Sequence, residues 1–412
     1  MTGSFRLLWF GEGVSVLGNA TSAVLLPLAA VVQFHAGPGW LGLLTAAAWL
    51  PWLVVGLPAG AWVDHLRPRS VMIASDLVAA VLVASIPVAQ AAHVLSLGQL
   101  LAVALGSGVC TVFFRTAYVK LLPEVVDEPE LEVANARLFG TESAMQVIGP
   151  GVAGTLLRWV SAATGLALDA GSFLVSAGCL SRVHPRSDPT VVTPRTPLGE
   201  QIREGVRFVW QDRYLRWLTG IGGLSNFGLT GYAALLVLYL VRDLRLAPAS
   251  IGTVLMLGSV GGLLGSVVAT RVTRRLGSGR ASTVLFVCAG PPALLIPLAG
   301  PGLWVGVAVA GLFLVGVFVV AGNVVRAAWR QRYVPRELMG RVVTASQVVN
   351  YGTMPLAGLT AGWLGGQVGV RPTIALMAAI HTTACVGILA SPLRPLHDLP
   401  ERSEPIRVPV PA

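Results

Sequence analysis

The sequence predicts an all-α membrane protein with twelve transmembrane helices in two pseudo-symmetric six-helix bundles. Apolar residues make up 54% of the 412 residues and charged residues 12%, with a mean hydropathy of +0.73, which is too apolar for a water-soluble protein of this length. Charged residues are absent from stretches long enough to hold membrane helices, which need roughly 20 apolar residues each. Landmarks of the first half of the chain also recur in the second half.

The charge-free stretches locate the spans. The longest runs from Glu12 to Asp64, and others cover 76–115, 216–242, 245–271, 280–326, 341–371 and 371–394. Glycine and proline clusters such as Gly37-Pro38-Gly39 divide the longer stretches. The predicted spans lie near residues 6–34, 40–63, 70–92, 98–121, 133–158, 162–182, 214–240, 248–270, 281–299, 303–330, 339–367 and 372–391.

The two halves of the sequence echo each other at a nearly constant offset of 205 to 207 residues. A constant offset across several landmarks indicates duplication of a six-helix unit. The paired landmarks are Asn19 and Asn226, Gly60 and Gly265, Glu130 and Glu337, and Pro150 and Pro355.

The arginines set the expected topology and domains. With the N-terminus inside, only Arg158, Arg242, Arg245 and Arg371 fall on the outer side, so the net charge of +10 is a topology signal rather than a nucleic-acid footprint. We expect a multi-pass protein of the inner (plasma) membrane with both termini cytoplasmic. The expected divisions are an N-terminal bundle at 1–182, a linker with an amphipathic helix at 183–213, a C-terminal bundle at 214–391 and a disordered cytoplasmic tail at 392–412.

The sequence contains no motif that predicts an enzyme or a cofactor site. The four cysteines are scattered singly, so no metal site is predicted. No phosphate-binding Gly-x-x-x-x-Gly-Lys-Ser/Thr loop occurs, and the histidines are dispersed, which argues against a membrane enzyme such as a lipid-modifying transferase. We expect no cofactor and no nucleic-acid partner, and a monomer whose partners are the lipid bilayer, a small-molecule substrate and protons.

Polar residues at helical spacing within the apolar spans are candidate pathway residues. Residues three or four apart share one face of a helix, and a charge at membrane depth costs roughly 3 kcal/mol or more and seldom faces lipid. Such stripes either line a cavity or form hydrogen bonds between helices. The candidates for a substrate or proton pathway are Glu12, Ser15, Asn19, Arg115, Glu142, Asn226, Asn323 and Arg326.

Several motifs resemble those of the major facilitator superfamily. The loop Gly60-Ala-Trp-Val-Asp64-His-Leu-Arg67-Pro-Arg69 is similar to its signature loop, with Arg67 in place of the usual second glycine. The stretches 111–123, 131–136 and 148–154 resemble the bacterial exporter branch that includes macrolide-efflux and enterobactin-exporter types. Two departures are Arg115, where this branch commonly has an acid, and Met145, where the antiporter motif has a glycine.

The resemblance implies two six-helix halves that rock about a central site. It implies a conformational gate formed by Gly60, Asp64, Arg67 and Arg69, and a helix-packing motif formed by Gly149, Pro150 and Gly154. The implied function is proton-coupled export of a small amphipathic compound such as a drug, antibiotic or siderophore-like molecule. An uptake permease for a small nutrient and a non-transporting membrane sensor remain as alternatives.

Four acids lie at membrane depth, and they have different expected roles. Asp76 and Asp169 belong to spans three and six, which the resemblance places at the periphery, so we expect them to tie helices together. Glu142 is an intermediate case. Glu12 ranks first for coupling, because it belongs to the polar stripe of a helix that the resemblance places at the cavity. It lies roughly 8–11 Å deep, at about the depth of Arg115, so the two can pair. We expect Glu12 to alternate between a proton and Arg115 or a cationic substrate group, although a permanent ion pair would satisfy the same spacing.

Overall fold

The computed structural model describes residues 3–184 and 198–401, and within these ranges the chain is helical with no β-strand. In this part of the chain nine helical segments are long and apolar enough to cross a membrane. The remaining positions of a twelve-membered bundle are filled by Pro38–Val54 with its continuation Gly56–Asp64, by Leu131–Leu156 and by Arg336–Val368.

Six spans form the first half of the bundle. Two of them are interrupted, so the half contains eight helices. In chain order these are α1 (Gly3–Phe34), α2 (Pro38–Val54), α3 (Gly56–Asp64), α4 (Pro68–Ala91), α5 (Leu97–Val125), α6 (Leu131–Leu156), α7 (Ala162–Gly165) and α8 (Ala167–Leu180).

The second half follows a linker helix, α9 (Leu198–Gln211). Its third span continues α12 as a 3₁₀ helix over Pro291–Leu298. The helices are α10 (Arg213–Arg242), α11 (Pro248–Leu276), α12 (Ser278–Ala289), α13 (Val305–Tyr333), α14 (Arg336–Val368) and α15 (Val370–Gly387).

The two halves pack in the same pattern. In the first half α1 contacts α6 and α8, and in the second half α10 contacts α14 and α15. The contacts of α5 with α2 and α4 have their counterpart in those of α13 with α11 and α12. Equivalent spans therefore have equivalent neighbours, as expected for a duplicated six-helix unit.

Proline explains two of the helix interruptions. Pro58 has no N–H to donate to Val54, and α2 ends there. Pro291 and Pro292 end α12 in the same way, because they have no N–H to donate to the Val287 and Cys288 carbonyls. Two side chains of α15 bind the carbonyls at this junction. His381 Nε2 lies 3.2 Å from the Ala289 carbonyl oxygen, and Thr382 donates to the Gly290 carbonyl at 2.9 Å.

The two halves meet closely at one end of the bundle, the distal face, which carries the α1–α2 and α10–α11 turns. Here Gly42 of α2 lies against Gly358 and Gly362 of α14, and Gly154 of α6 lies against Gly252 of α11. A side chain at any of these glycines would overlap the opposing backbone. Small residues thus allow the helices to approach at this face.

An arginine reinforces this closure. The Arg242 guanidinium at the end of α10 donates to the His35 carbonyl at 2.8 Å and to the Ala36 carbonyl at 3.0 Å. Both acceptors lie in the turn between α1 and α2, in the other half of the molecule. The distal face is therefore held by polar contacts as well as by helix packing.

The opposite end, the linker face, carries α9 and the α3–α4 turn, and there the halves separate. A Cβ atom added at Gly56, Gly60 or Gly140 would meet nothing within 4 Å. Toward this end α2 and α14 still meet at Tyr351, whose ring lies 5.6 Å from that of Trp49 and 5.1 Å from that of Trp52. The structure is therefore closed at the distal face and open toward the linker face.

The linker helix α9 packs on the second half through its apolar side, with Phe208 and Val209 buried. Glu204 of α9 forms an ion pair with Arg341 of α14. At the following joint Asp212 caps α10 by accepting from the backbone of Tyr214 and Leu215 at 2.9 and 2.8 Å. The side chain at this joint thus satisfies two of the free N–H groups of the helix.

The tail from Pro392 corrects an expectation. Residues 392–401 are ordered against the second half rather than disordered: Leu393 and Leu399 are buried, and Trp329 donates to the Pro400 carbonyl at 2.9 Å. Asp398 accepts from the backbone N–H of Ser278 at 2.8 Å, and this hydrogen bond helps hold the pKa of the Asp398 carboxyl below its usual value. Residues 402–412 lie outside the described part of the chain, as do 185–197 of the linker.

Candidate transport cavity

A cavity of about 910 Å³ lies between the two halves. Its volume falls within the range of pockets that hold drug-sized ligands. Apolar and aromatic side chains make up most of its wall, including Trp49, Trp52, Phe114, Leu236 and Leu312.

The charged residues of the cavity wall are unevenly distributed between the two halves. Its described charged residues all come from the first half, whereas the second half contributes only small, apolar or hydroxyl side chains. The charged set is Glu12, Asp76, Arg115, Glu142 and Asp169.

Three of these residues form an acid–base triad. Arg115 of α5 donates to Glu142 of α6 at 2.7 Å and lies 3.6 Å from the Glu12 carboxylate of α1. The Glu12 side chain is only 9% exposed, and its second carboxylate oxygen has no hydrogen-bond partner among the described residues. Arg115 therefore bridges three helices, but it satisfies Glu142 better than Glu12.

The polar stripe of α1 faces this cavity. Ser15 and Asn19 follow Glu12 at helical spacing, and all three line the wall. Thr21 donates to the Gly149 carbonyl at 3.3 Å, which fixes α1 against α6. The predicted pathway residues Glu12, Ser15, Asn19, Arg115 and Glu142 are therefore brought together in one site.

The three candidates from the second half lie elsewhere. Asn226 does not line the cavity but donates to Asn350 of α14 at 3.0 Å. Arg326 donates to Asn323 at 2.6 Å, and its guanidinium carbon lies 4.3 Å from the Phe286 ring centre in α12. These side chains connect helices within the second half, which was the other interpretation of their spacing.

The predicted gate residues lie at the linker face. Arg69 donates to the Leu180 carbonyl at 2.9 Å and also to that of Ser181, so it ties the start of α4 to the end of α8. Arg67 is exposed, and the side chain of Asp64 lies outside the described residues. The arrangement of the gate around Asp64 thus stays a prediction.

The residues of the predicted packing motif of α6 take part in two contacts between helices. Gly149 lies against Ala20 of α1, whereas Gly154 and the Pro150 carbonyl lie against Gly252 of α11 in the other half. The motif therefore joins the wall of the cavity to the distal closure.

Two acids lie where sequence reasoning did not place them. Asp76 of α4 and Asp169 of α8 were expected to tie helices together at the periphery, and they do face hydroxyls of neighbouring helices, Ser176 of α8 and Ser22 of α1. Both acids, however, also line the cavity, and each is 2% exposed. The sequence signal was present, since both are acids at membrane depth. The error came from assigning them a place by span number rather than by helix face.

A central cavity between two pseudo-symmetric helical halves, open at one face and closed at the other, defines a transporter of small molecules. The chain belongs to the Major Facilitator Superfamily, whose family model matches residues 8–358. It is therefore a membrane-spanning transporter and not an enzyme.

Two relatives with assigned names are similar over nearly the whole chain. The multidrug efflux pump Tap of Mycolicibacterium fortuitum is 29% identical over 98% of both chains. The multidrug efflux pump Tap of Mycobacterium tuberculosis is 28% identical over 95% of this chain and 94% of the relative.

Solved structures share the fold at low identity. The nucleoside transporter NupG matches with a TM-score of 0.76 at 10% identity, covering 94% of this chain and 99% of that chain. A bacterial homologue of the iron transporter ferroportin in an inward-facing state matches with a TM-score of 0.72 at 17% identity, covering 93% of this chain and 100% of that chain. At these identities the likeness establishes the fold alone.

Proposed function

We propose that this transporter exports a small amphipathic organic compound and that inward proton flow drives the export. The observation that carries the proposal is the cavity: an apolar, aromatic-lined space of about 910 Å³ with an acid–base triad on one wall. Such a wall binds an apolar body by burial, and the triad offers a group that can exchange a proton. The naming of the Tap relatives as multidrug efflux pumps supports the same class of substrate.

The proposed orientation places the linker face in the cytoplasm, because the arginine-rich loops lie there. The structure is then the inward-open state, which loads substrate from the cytoplasm. Both termini are cytoplasmic in this proposal, and the chain works as a monomer with bundles at 1–182 and 214–391.

Coupling in this proposal depends on competition for Arg115. When Glu12 is ionised, it attracts the guanidinium 3.6 Å away; when it is protonated, Arg115 belongs to Glu142 alone. Since the three residues lie on α1, α5 and α6, a proton on Glu12 changes the attraction between helices of the first half. Protonation therefore changes the relative stability of the inward-open and outward-open states.

The gate is proposed to act at the linker face as the halves close there. Asp64, with Gly60, Arg67 and Arg69, is placed to form contacts when α3 approaches the start of α14. In this proposal the gate residues control the rate of the conformational cycle and do not contact the substrate.

Whole-cell accumulation of ethidium, a fluorescent amphipathic cation, separates export from uptake. Bacterial cells expressing the chain are expected to hold severalfold less dye than cells without it, and a protonophore should remove the difference. Cells that express the Arg115→Ala variant, in which the triad is broken, are the control for the effect of expression alone. Greater dye accumulation in expressing cells would favour the uptake permease and contradict export.

A further inference from the structure

The first-half wall of the cavity has a second polar region that the triad does not explain. It lies between α1, α4, α5 and α8, and we call it the N-half pocket. It contains two nearly fully buried carboxylates and three hydroxyls from different helices. Its polar members are Ser22, Asp76, Ser107, Asp169 and Ser176.

Unsatisfied polar atoms concentrate in this pocket. Seven buried side-chain oxygens in the described part of the chain have no hydrogen-bond partner, and five of them lie here or at its mouth. Buried polar groups are normally paired with protein or with ordered water. The cluster therefore fits water or a small cation rather than the apolar body of a substrate. The five atoms are Glu12 Oε2, Ser22 Oγ, Asp76 Oδ2, Ser107 Oγ and Ser176 Oγ.

The two carboxylates of the pocket are not equivalent. Asp169 lies in the first turn of α8, where the free N–H groups of the helix favour a negative charge, and it accepts from Ser172 Oγ at 3.2 Å. Asp76 lies in the interior of α4, away from any helix terminus, and its Oδ2 has no partner. Asp76 therefore gains no support from a helix terminus, and the group that faces it from α8 is the neutral Ser176 hydroxyl.

The charged and titratable groups around Asp76 do not neutralise it. From α5 it faces Cys110, from α1 Glu12 and from α8 Ser176, and Asp169 of α8 lines the same cavity. The one basic residue lining the described cavity is Arg115, which lies five residues beyond Cys110 and is engaged by the triad.

On its own helix the nearest basic residue is Arg69, whose guanidinium is directed to the carbonyls at the end of α8. A buried carboxylate without a cationic partner costs several kcal/mol, so we expect Asp76 to stay ionised only when a cation joins it. Burial also limits the size of that cation. Because Asp76 is only 2% exposed, a proton can reach it through water, but a large ammonium group cannot.

We propose that Asp76 is a second proton-binding site of the transport cycle, reached from the cavity through water in the N-half pocket. The proton binds a carboxylate oxygen while the cavity faces the outside and leaves to water when the cavity faces the cytoplasm. Unlike Glu12, Asp76 forms no ion pair with another of the described residues, so its proton adds to the driving force without controlling reorientation. The coupling part of this inference rests on the proposed proton-driven export.

Infrared spectroscopy tests proton binding without any transport. The purified full chain in liposomes is titrated with alkali, and the carboxylic-acid C=O band is followed. We expect the difference between the wild-type chain and Asp76→Asn to show one protonated carboxyl that titrates. Asp76→Glu should restore the band, and Glu132→Gln, at an exposed acid outside the cavity, is the control that should leave the Asp76 band in place.

Transport stoichiometry tests the role in the cycle. Liposomes containing the chain and ethidium are given a series of pH gradients at clamped zero potential, without Na⁺. Each exchanged proton raises the limiting ethidium gradient about tenfold per pH unit. The wild-type chain and Glu132→Gln, which changes an exposed acid outside the cavity, should therefore give about 100-fold per unit, and Asp76→Asn about tenfold.

Each outcome is decisive. An unchanged slope and an unchanged carboxyl band in Asp76→Asn would overturn the inference, as would a requirement for Na⁺ that Asp76→Asn removes. If the wild-type slope is zero, the proposed proton coupling fails, while the infrared difference still decides whether Asp76 binds a proton.

Discussion

Glu12→Gln is expected to abolish uphill export of ethidium while leaving its binding within about twofold of the wild-type chain. Glutamine keeps the shape of the side chain and can accept from Arg115, but it cannot release a proton. Arg115 then stays with Glu142, 2.7 Å away, throughout the cycle. Because the triad controls reorientation in this account, net export needs Glu12 to change its charge. Exchange of ethidium across the membrane needs no such change and should persist.

The measurement compares net export and exchange in everted membrane vesicles. At a pH gradient of one unit and clamped zero potential, the limiting accumulation should fall from about 100-fold to about one. The matched control is Glu132→Gln, which changes an exposed acid in the first turn of α6, outside the cavity, and should export normally. Export against a gradient at the wild-type rate by Glu12→Gln would remove Glu12 from the coupling mechanism.

Gly252→Leu is the second change with a large expected effect, because it places a side chain where two backbones meet. Gly252 of α11 lies against Gly154 and the Pro150 carbonyl of α6, and a Cβ there overlaps both. Overpacking of this kind costs roughly 1–3 kcal/mol. The cost applies only while the distal face is closed, so the equilibrium should shift by roughly 5- to 150-fold toward the state open at that face.

Cysteine labelling from the distal side measures this shift. A cysteine at Ser259, which lines the cavity on α11, should become more accessible to a membrane-impermeant reagent in Gly252→Leu, and export should fall at least tenfold. Gly306→Leu is the control, since it makes the same change near the distal end of α13, where a Cβ meets nothing within 4 Å. Unaltered labelling together with normal export would show that the α6–α11 contact does not close the distal face.

The sequence predicted the spans well because hydropathy and charge act over whole helices. The predicted span near 98–121, for example, corresponds to α5 at Leu97–Val125. Helical spacing also identified which polar residues share a face, as with Glu12, Ser15 and Asn19. Composition and periodicity act locally, so both signals can be read without knowing how the helices pack.

The sequence could not indicate which neighbour a polar face meets. Asn226 and Arg326 have the same kind of spacing as Glu12, yet they bond within the second half, because α10 packs closely on α14 and α15 there. Gly228, for instance, lies against the backbone of His381, which fixes the rotation of α10. Asp76 was misjudged for the same reason, since its place depends on the rotation of α4.

The tail shows a different limit of sequence reasoning. Its attachment uses backbone carbonyls, with Gly279 donating to His397 at 3.0 Å and Trp329 donating to Pro400 at 2.9 Å. Proline-rich composition suggests disorder. Every residue has a backbone carbonyl, however, so the residue types do not show which carbonyls will accept hydrogen bonds. Only the neighbouring helices α12 and α13 reveal that the segment has a docking place.

Substrate-driven proton movement tests the central claim most directly. Liposomes containing the purified chain and an internal pH-sensitive dye start with equal pH on both sides, and ethidium is then added to one side. The account predicts that ethidium entry moves protons in the opposite direction, and that Glu12→Gln abolishes this proton movement. Ethidium crossing through the wild-type chain with no change of internal pH would contradict proton-coupled export.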